Sequence, residues 1–292
     1  MATAASAPNG LLLHRRLARL WGRSSSFVVG SALVILLVLT ALACGIVSPY
    51  GPTQVIPGAV LLPASPQHWF GTDANGMDVF TRVLYGARYA IAIAVPAAIV
   101  MILVGVPLGL IAGFYGGLID EVLTRALDVL RAFPSIILAL AVVSATGQSL
   151  LNVIIVIGLL DAPIFARAVR AEVIAIRRSD FVASAVVTGN PTWRILLVHL
   201  LPNTIKGAAA LLPLRMAWAL RVSATLAFVG VGIQAPEPEW GALIRQGAEY
   251  IISGQYWVAL FPGIALVVAV FGFNLMGDGI QELMDPRLGS NG

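Results

Sequence analysis

Long runs of apolar residues alternate with shorter polar segments along this chain, and the runs have the length of membrane-spanning helices. A helix needs roughly 20 apolar residues to cross about 30 Å of hydrocarbon. One uncharged stretch, residues 132–160, is divided at residues 144–149, whose small polar side chains fit a tight turn better than a helix interior. The pattern therefore predicts an all-α integral membrane protein with six transmembrane helices, at about residues 27–47, 89–114, 126–146, 150–170, 208–233 and 257–277.

Composition also indicates a membrane protein. Of the 292 residues, 59% are hydrophobic and only 11% are charged, which is far too apolar for a soluble domain of this length. The formal net charge of +4 is explained by basic residues beside the membrane, so we expect no nucleic-acid partner. A signal peptide ending at Cys44 is an alternative for the first apolar run, but that run is long for a signal peptide and further spans follow it.

The distribution of basic residues predicts which segments face the cytoplasm, because short cytoplasmic loops retain lysine and arginine. The N-terminal tail, residues 1–26, carries four arginines and no acidic residue. Residues 167–206 carry six basic residues against two acidic ones. We expect both segments and the C-terminus to be cytoplasmic, with residues 48–87 and 234–256 outside. The transmembrane domain then covers residues 27–292.

The polar loop at residues 171–206 has the cap and stop signals of two short helices. A glycine followed by a proline ends the first helix. A short helix parallel to the membrane could transmit force from a partner protein, so the loop is interpreted as a docking site. The alternative interpretation is an ordinary basic loop that anchors the neighbouring helices. The boundaries rest on Ser179 or Asp180 as the first cap, Gly189 and Pro191 as the stop, and Thr192 as the cap of a second helix over 193–201.

Residues 181–185 (FVASA), Gly189 and residues 201–203 (LPN) resemble the cytoplasmic coupling segment of ATP-binding-cassette importer permeases. In that family an EAA stretch is followed by a glycine and later by Leu-Pro. The resemblance implies that the loop docks into a cleft of a cassette ATPase. Ala183 and Ser184 stand where the family usually has Glu and Ala, so a salt bridge made by that Glu is absent here or supplied by another residue. The implied coupling residues are Arg178, Asp180, Phe181, Ala183, Ser184, Ala185, Gly189, Leu201, Pro202 and Asn203.

Four further stretches resemble one branch of this family, the dipeptide, oligopeptide and nickel permeases of the second-subunit (C) type. The longest is GTDANGMDVFTRVLYGAR at residues 71–88. Met77 stands where the branch has Arg, so contacts made by that Arg are not carried over. The others are RALD with RAFP at residues 125–134, FVGVGIQ with EWG at 228–241, and NLMGDG with DPR at 274–287.

The resemblance implies a type I importer permease with six transmembrane helices and a cytoplasmic coupling-helix loop in a bacterial inner membrane. It implies several partners: a second homologous permease, two cassette ATPases that use ATP and magnesium, an external solute-binding protein and membrane lipid. Peptides are the expected cargo, while nickel complexes and haem stay open. The alternatives are a proton-coupled secondary transporter or channel, although the halves show no obvious repeat, and a membrane scaffold.

The sequence predicts a transport subunit rather than an enzyme. A P-loop needs a lysine after a glycine-rich turn, and the single lysine, Lys206, follows Ile205. His14, His68 and His199 lie far apart, and one cysteine cannot build a thiolate metal site alone. We therefore expect no catalytic residue, no metal site and no cofactor in this chain.

Asp161, Arg215 and Arg221 are the clearest ionisable residues inside the predicted spans. An unpaired charge in lipid is costly, and a pair between Asp161 and one of the arginines would neutralise both. The alternative is that these side chains line the translocation path and meet the charged ends of a peptide.

Overall fold

The computed structural model describes residues 24–284, most of which lie in helices. Within that range the β pairing is limited to an isolated antiparallel bridge between Thr72 and Asp78. Residues 1–23, which hold the basic tail, and residues 285–292 lie outside the described range. The helices are α1 (Ser25–Val47), α2 (Val79–Tyr115), α3 (Gly117–Ala132), α4 (Ser135–Thr146), α5 (Leu150–Ile176), α6 (Asp180–Val187), α7 (Thr192–Arg194), α8 (Leu201–Ala210), α9 (Leu212–Val229), α10 (Trp240–Ala248) and α11 (Trp257–Met284), with a π-helical segment (Ile195–Leu200) between α7 and α8.

Five helices, α1, α2, α5, α9 and α11, are long and apolar enough to cross a membrane. Helices α3 and α4 together supply a sixth candidate crossing, but they are bent by 87° at the break between them. The break lies at Phe133, which is extended with φ −93° and ψ 144°, because a residue before a proline disfavours the helical conformation. The sequence predicted one continuous helix over 126–146, and this was wrong at Phe133 and Pro134.

Two other helix boundaries differ from the predicted ones. Helix α2 begins at Val79, inside the predicted outer loop, because Asp78 caps it by accepting the backbone N–H of Thr81 at 2.7 Å. Helix α9 is shorter than the predicted span, because Gly230 adopts the left-handed conformation with φ 90° and ends it. Helices α4 and α5 are separated at residues 147–149, where the sequence predicted a turn.

Helices α2 and α5 pack with their backbones in close contact. Gly105, Gly109 and Gly113 recur every four residues along α2 and face α5. A Cβ at Gly109 would lie only 2.4 Å from the carbonyl oxygen of Ala166, so only glycine permits this approach. Phe165, which is 1% exposed, belongs to the main hydrophobic core along this interface.

Helix α1 lies against α11, and this contact also depends on glycine. A Cβ at Gly30 would lie 2.2 Å from the backbone nitrogen of Met276. A Cβ at Gly279 would lie 2.3 Å from the backbone nitrogen of Phe27. The first and last spanning helices are thereby joined along one side of the molecule.

Candidate functional site

Helix α6, in the loop predicted to couple to an ATPase, begins without a capping side chain. Ser179 occupies the cap position, but its hydroxyl donates to the carbonyl oxygen of Ile176 at 2.6 Å instead of accepting an N–H from α6. Asp180 is the first helical residue, where its negative charge is favourable beside the helix N-terminus. The prediction that Ser179 or Asp180 caps the helix through its side chain was therefore wrong.

The end of α6 follows the predicted stop signal. Gly189 adopts φ 75°, a left-handed conformation that suits glycine, and Pro191 follows it. Asn190 donates both its backbone N–H and its side-chain Nδ2 to the carbonyl oxygen of Ala185, at 3.1 and 3.0 Å. These bonds satisfy a carbonyl that the helix itself leaves free, so the turn after α6 is well defined.

The second predicted helix differs from the structure at its start and in its middle. Thr192 is the first residue of α7 and Pro191 occupies the cap position, so Thr192 does not cap the helix. The chain then continues through the π-helical segment into α8. Pro202 lacks the N–H that would bond four residues back, and the π segment ends beside it. Leu201 is half-buried, while Asn203 is exposed and donates from Nδ2 to His199 at 2.7 Å.

Helix α6 has one buried side and one exposed side. Val182 and Ala185 are 2% and 6% exposed and belong to the same core as Ile195 and Leu200 of the π segment. Ala185, one of the implied coupling residues, therefore packs inward in this structure. The exposed side, which we call the α6 surface, consists of Arg178, Phe181, Ala183, Ser184, Val186, Val187, Gly189 and Trp193.

The α6 surface is mainly apolar. Val187 is 86% exposed, Trp193 62% and Phe181 44%. Ala183 and Ser184 lie beside them, and their short side chains allow another surface to approach closely. A cluster of exposed apolar side chains is typical of a protein interaction site, so the composition of the α6 surface fits docking.

Three arginines of α5 connect the α6 surface to other helices. Arg177 donates from Nη1 to the carbonyl oxygens of Gly113 and Phe114, at 2.9 and 3.3 Å, at the end of α2. Arg170 forms a two-point ion pair with Asp120 of α3, at 2.5 and 2.6 Å. The third pair joins Arg167 to Asp128 at 2.7 Å.

From the sequence these arginines were interpreted only as positive charge, and their pairing was not predicted. Their spacing of three and seven residues along one helix was the available signal, since residues three, four and seven apart share a helix face. Because Arg170 and Arg177 bind groups on two different helices, α5 cannot move at this end without α2 and α3.

A polar cleft lies within the predicted spans and contains two of the three predicted path residues. Nη1 of Arg215 lies 3.7 Å from Oδ2 of Asp161, which confirms the predicted pairing with an arginine of the fifth span. Arg221 is exposed and is not part of this cleft. The cleft has a volume of about 260 Å³ and is lined by Leu130, Arg131, Phe133, Ser135, Leu160, Asp161, Ile164, Arg215 and Trp218.

A second polar cluster, almost fully buried, stands at the start of α2. The guanidinium of Arg82 pairs with Asp73 and also donates from Nη2 to the carbonyl oxygen of Pro236 at 3.1 Å. Nδ1 of His68 lies 2.9 Å from Oδ2 of Asp78. These bonds tie the loop before α2 to the loop before α10, so they serve the structure of this end of the molecule.

Residues 105–290 match the family described as "Binding-protein-dependent transport system inner membrane component". The chain belongs to this family. It is therefore a multi-pass inner membrane protein, and its helical fold is that of the permeases of type I ATP-binding-cassette importers.

Curated relatives match the chain over most of its length. The dipeptide transport system permease protein of Alkalihalophilus pseudofirmus is 38% identical over 90% of this chain and 86% of the relative. The probable D,D-dipeptide transport system permease protein of Escherichia coli is 35% identical, over 91% and 90%. The glutathione transport system permease protein of Pectobacterium atrosepticum is 37% identical, over 77% and 75%. These likenesses support a permease subunit of an importer and not the secondary transporter or channel.

Proposed function

We propose that this chain is one of two permease subunits in an ATP-driven importer of dipeptides and oligopeptides. The names of the relatives support this cargo, since they refer to dipeptides, D,D-dipeptides and glutathione. A second homologous permease, two cassette ATPases that bind ATP and magnesium, and an external solute-binding protein complete the transporter. This chain forms half of the translocation pathway.

The α6 surface faces the cytoplasm in this proposal, and both termini lie on the same side. The six basic residues against two acidic ones in residues 167–206 support that orientation. Residues 48–87 and 234–256 then face outward, where the solute-binding protein delivers its cargo.

The α6 surface docks into a cleft of one ATPase. Phe181, Val187 and Trp193 supply the apolar area that the ATPase covers, and Ala183 and Ser184 allow its backbone to approach. The buried side of α6 holds the helix firmly on the permease, so a displacement of the ATPase displaces α6 as a unit.

Displacement of α6 passes into the membrane through the arginines of α5. Arg170 carries α3 with it through the pair with Asp120, and Arg177 carries the end of α2. Because α3 leads directly into the polar cleft, closure of the ATPases changes access to the pathway near that cleft.

The observation that carries the proposal is a short helix with large apolar side chains exposed on one side and a well-packed core on the other. Large apolar side chains exposed on one side of a helix are typical of a surface that another protein covers. The membership of the chain in an importer family supports a cassette ATPase as that partner.

Extraction of the tagged chain from its native membrane in mild detergent, followed by uptake measurements in proteoliposomes, tests the proposal. We expect it to co-purify with a P-loop ATPase and a second permease, and the reconstituted complex with its solute-binding protein to import dialanine only when ATP is hydrolysed. Recovery of the chain alone, in an extract where other complexes survive, would contradict the proposal. So would a complex that hydrolyses ATP without importing any peptide.

A further inference from the structure

The polar cleft lies where the break between α3 and α4 meets the middle of α5. Arg131 and Phe133 come from the last turn of α3 and the break, and Ser135 is the first residue of α4. Asp161 and Arg215 close the cleft from α5 and α9. It therefore collects ionisable groups from three helices, α3, α5 and α9.

The acidic group in this cleft is buried but incompletely bonded. The side chain of Asp161 is only 6% exposed, and within residues 24–284 its Oδ2 atom has no hydrogen-bond partner. The same holds for Nε of Arg215. Their separation of 3.7 Å is too long for a hydrogen bond. A buried polar atom without a partner is costly, so the pair leaves bonding capacity that a ligand can use.

The N-terminus of α4 adds free donors to the cleft. Pro134 occupies the cap position, and no side chain among the described residues caps the helix. The first intrahelical bond at this end is from Leu138 to the carbonyl oxygen of Pro134, so the N–H groups of the first turn, beginning at Ser135, point out of the helix. A helix N-terminus with free N–H groups favours an anion.

The charges of the cleft add up to a positive site. Arg131 and Arg215 contribute two positive charges and Asp161 one negative charge, and the α4 N-terminus adds a partial positive charge. The volume of about 260 Å³ is below the roughly 300–1,000 Å³ of pockets that enclose a whole small ligand. The cleft therefore fits one anionic end of a molecule rather than the whole of it.

We propose that the cleft binds the C-terminal residue of a peptide during its passage. The carboxylate is held by Arg131 and by the first N–H groups of α4, and the N–H of the last peptide bond is donated to Oδ2 of Asp161. Arg215 lies beside Asp161 and balances its negative charge in the cleft. This inference rests on the proposed function, since it requires that peptides pass through the permease.

Arg131 is the residue to change, because it is exposed and its loss leaves no buried charge unpaired. The test compares Arg131→Gln with Arg125→Gln, a matched change of an exposed arginine on the same helix, whose side chain pairs with Glu121 at 2.6 Å. The complete reconstituted transporter is used, and the solute-binding protein is saturated with either dialanine or dialanine amide, which lacks the carboxylate.

We expect Arg131→Gln to lower the import of dialanine by roughly tenfold or more, as for the loss of one charge-assisted hydrogen bond. The slower import of dialanine amide and the ATP hydrolysis stimulated by the solute-binding protein stay as in the wild type. Arg125→Gln leaves the import rate of both peptides within about twofold of the wild-type rate. An equal fall for both peptides, or no change for either, overturns the inference. Failure of the wild type to import either peptide refutes the proposed function itself.

Discussion

The carboxyl of Glu239 is buried at the start of α10, where it caps the helix. Its Oε2 accepts the backbone N–H of Ala242 at 2.8 Å, and the residue is 4% exposed. Burial raises the pKa of Glu239 to about 7, against the weaker opposing effect of the backbone bonds it accepts. The folded protein therefore holds a proton on Glu239 at a pH where the unfolded chain has released it.

Glu239 gives the stability of the protein a specific pH dependence. Because its pKa is higher in the folded state, the contribution of Glu239 to the free energy of unfolding is largest below about pH 4.5 and falls as the pH rises to about 7. The loss over this window is about 3 kcal/mol at 1.36 kcal/mol per pKa unit. Thermal unfolding of the purified protein between pH 5 and pH 8 measures it.

The variant Glu239→Gln keeps a capping oxygen but cannot ionise, so its melting temperature should fall less over this pH range. Glu249→Gln, a change of an exposed carboxyl, should keep the wild-type slope. If the melting temperature changes equally with pH in all three proteins, then the protonation of Glu239 does not differ between the folded and the unfolded state.

Single residues also show where sequence reasoning reaches its limit. Gly189 was predicted to end α6 and does so, because few residues other than glycine readily adopt the left-handed conformation that this turn requires. Ser179 and Thr192 were predicted to cap helices through their side chains and do not. Ser179 occupies the cap position but its hydroxyl donates to Ile176, and Thr192 is already the first helical residue. Which partner a hydroxyl takes depends on packing that one sequence does not reveal.

Helix packing in this molecule depends on glycines at the crossings. Gly279 of α11 faces the backbone of α1, and a Cβ there would lie 2.3 Å from the nitrogen of Phe27. Gly263 lies on the same helix, yet a Cβ there would have no neighbour within 4 Å. The two positions therefore make a matched pair.

We expect Gly279→Ala to destabilise the folded protein by about 1–3 kcal/mol, because α1 and α11 must separate to admit the methyl group. Gly263→Ala should be neutral or slightly stabilising, since alanine favours the helix. The melting temperature and the fraction of monodisperse protein in detergent report the difference. Equal behaviour of the two variants would mean that the α1–α11 contact is loose.

At the level of elements, long apolar helices were predictable and interruptions were less so. Hydrophobic length alone located the first and last spans, because nothing else accounts for such runs. The break at Phe133 and Pro134 was missed, since the uncharged run that begins at Ala132 continues past the proline and hides its effect. The early start of α2 was missed because Asp78 was assigned to the outer loop.

In the whole molecule, we propose that contacts through α5 and α3 link the α6 surface to the polar cleft. They are two ion pairs and the bonds from Arg177 to two carbonyl oxygens, and none was predicted, because they join residues about 40 to 60 positions apart. The loop that resembles a coupling segment was recognisable from sequence, but these contacts behind it require the three-dimensional structure.

Changing Val187 tests the α6 surface without disturbing the fold. Its side chain is 86% exposed, so Val187→Glu should leave thermal stability within about 0.5 kcal/mol. A charge in the covered interface should weaken ATPase association and lower ATP-driven import by roughly tenfold or more. Val60→Glu places the same charge on a 55% exposed valine before α2 and should leave ATPase association unchanged. Import at the wild-type rate by Val187→Glu would show that the ATPase does not cover the α6 surface.

The bend between α3 and α4 has a consequence for the membrane as an electrical barrier. Helix α4 has 12 residues and rises only about 18 Å, against about 30 Å of hydrocarbon. Helix α3 is turned by 87° and adds little depth. The rest of the hydrocarbon depth at this point must be covered by neighbouring helices, so the resistance of the closed transporter to ion leakage depends on how they pack around α4.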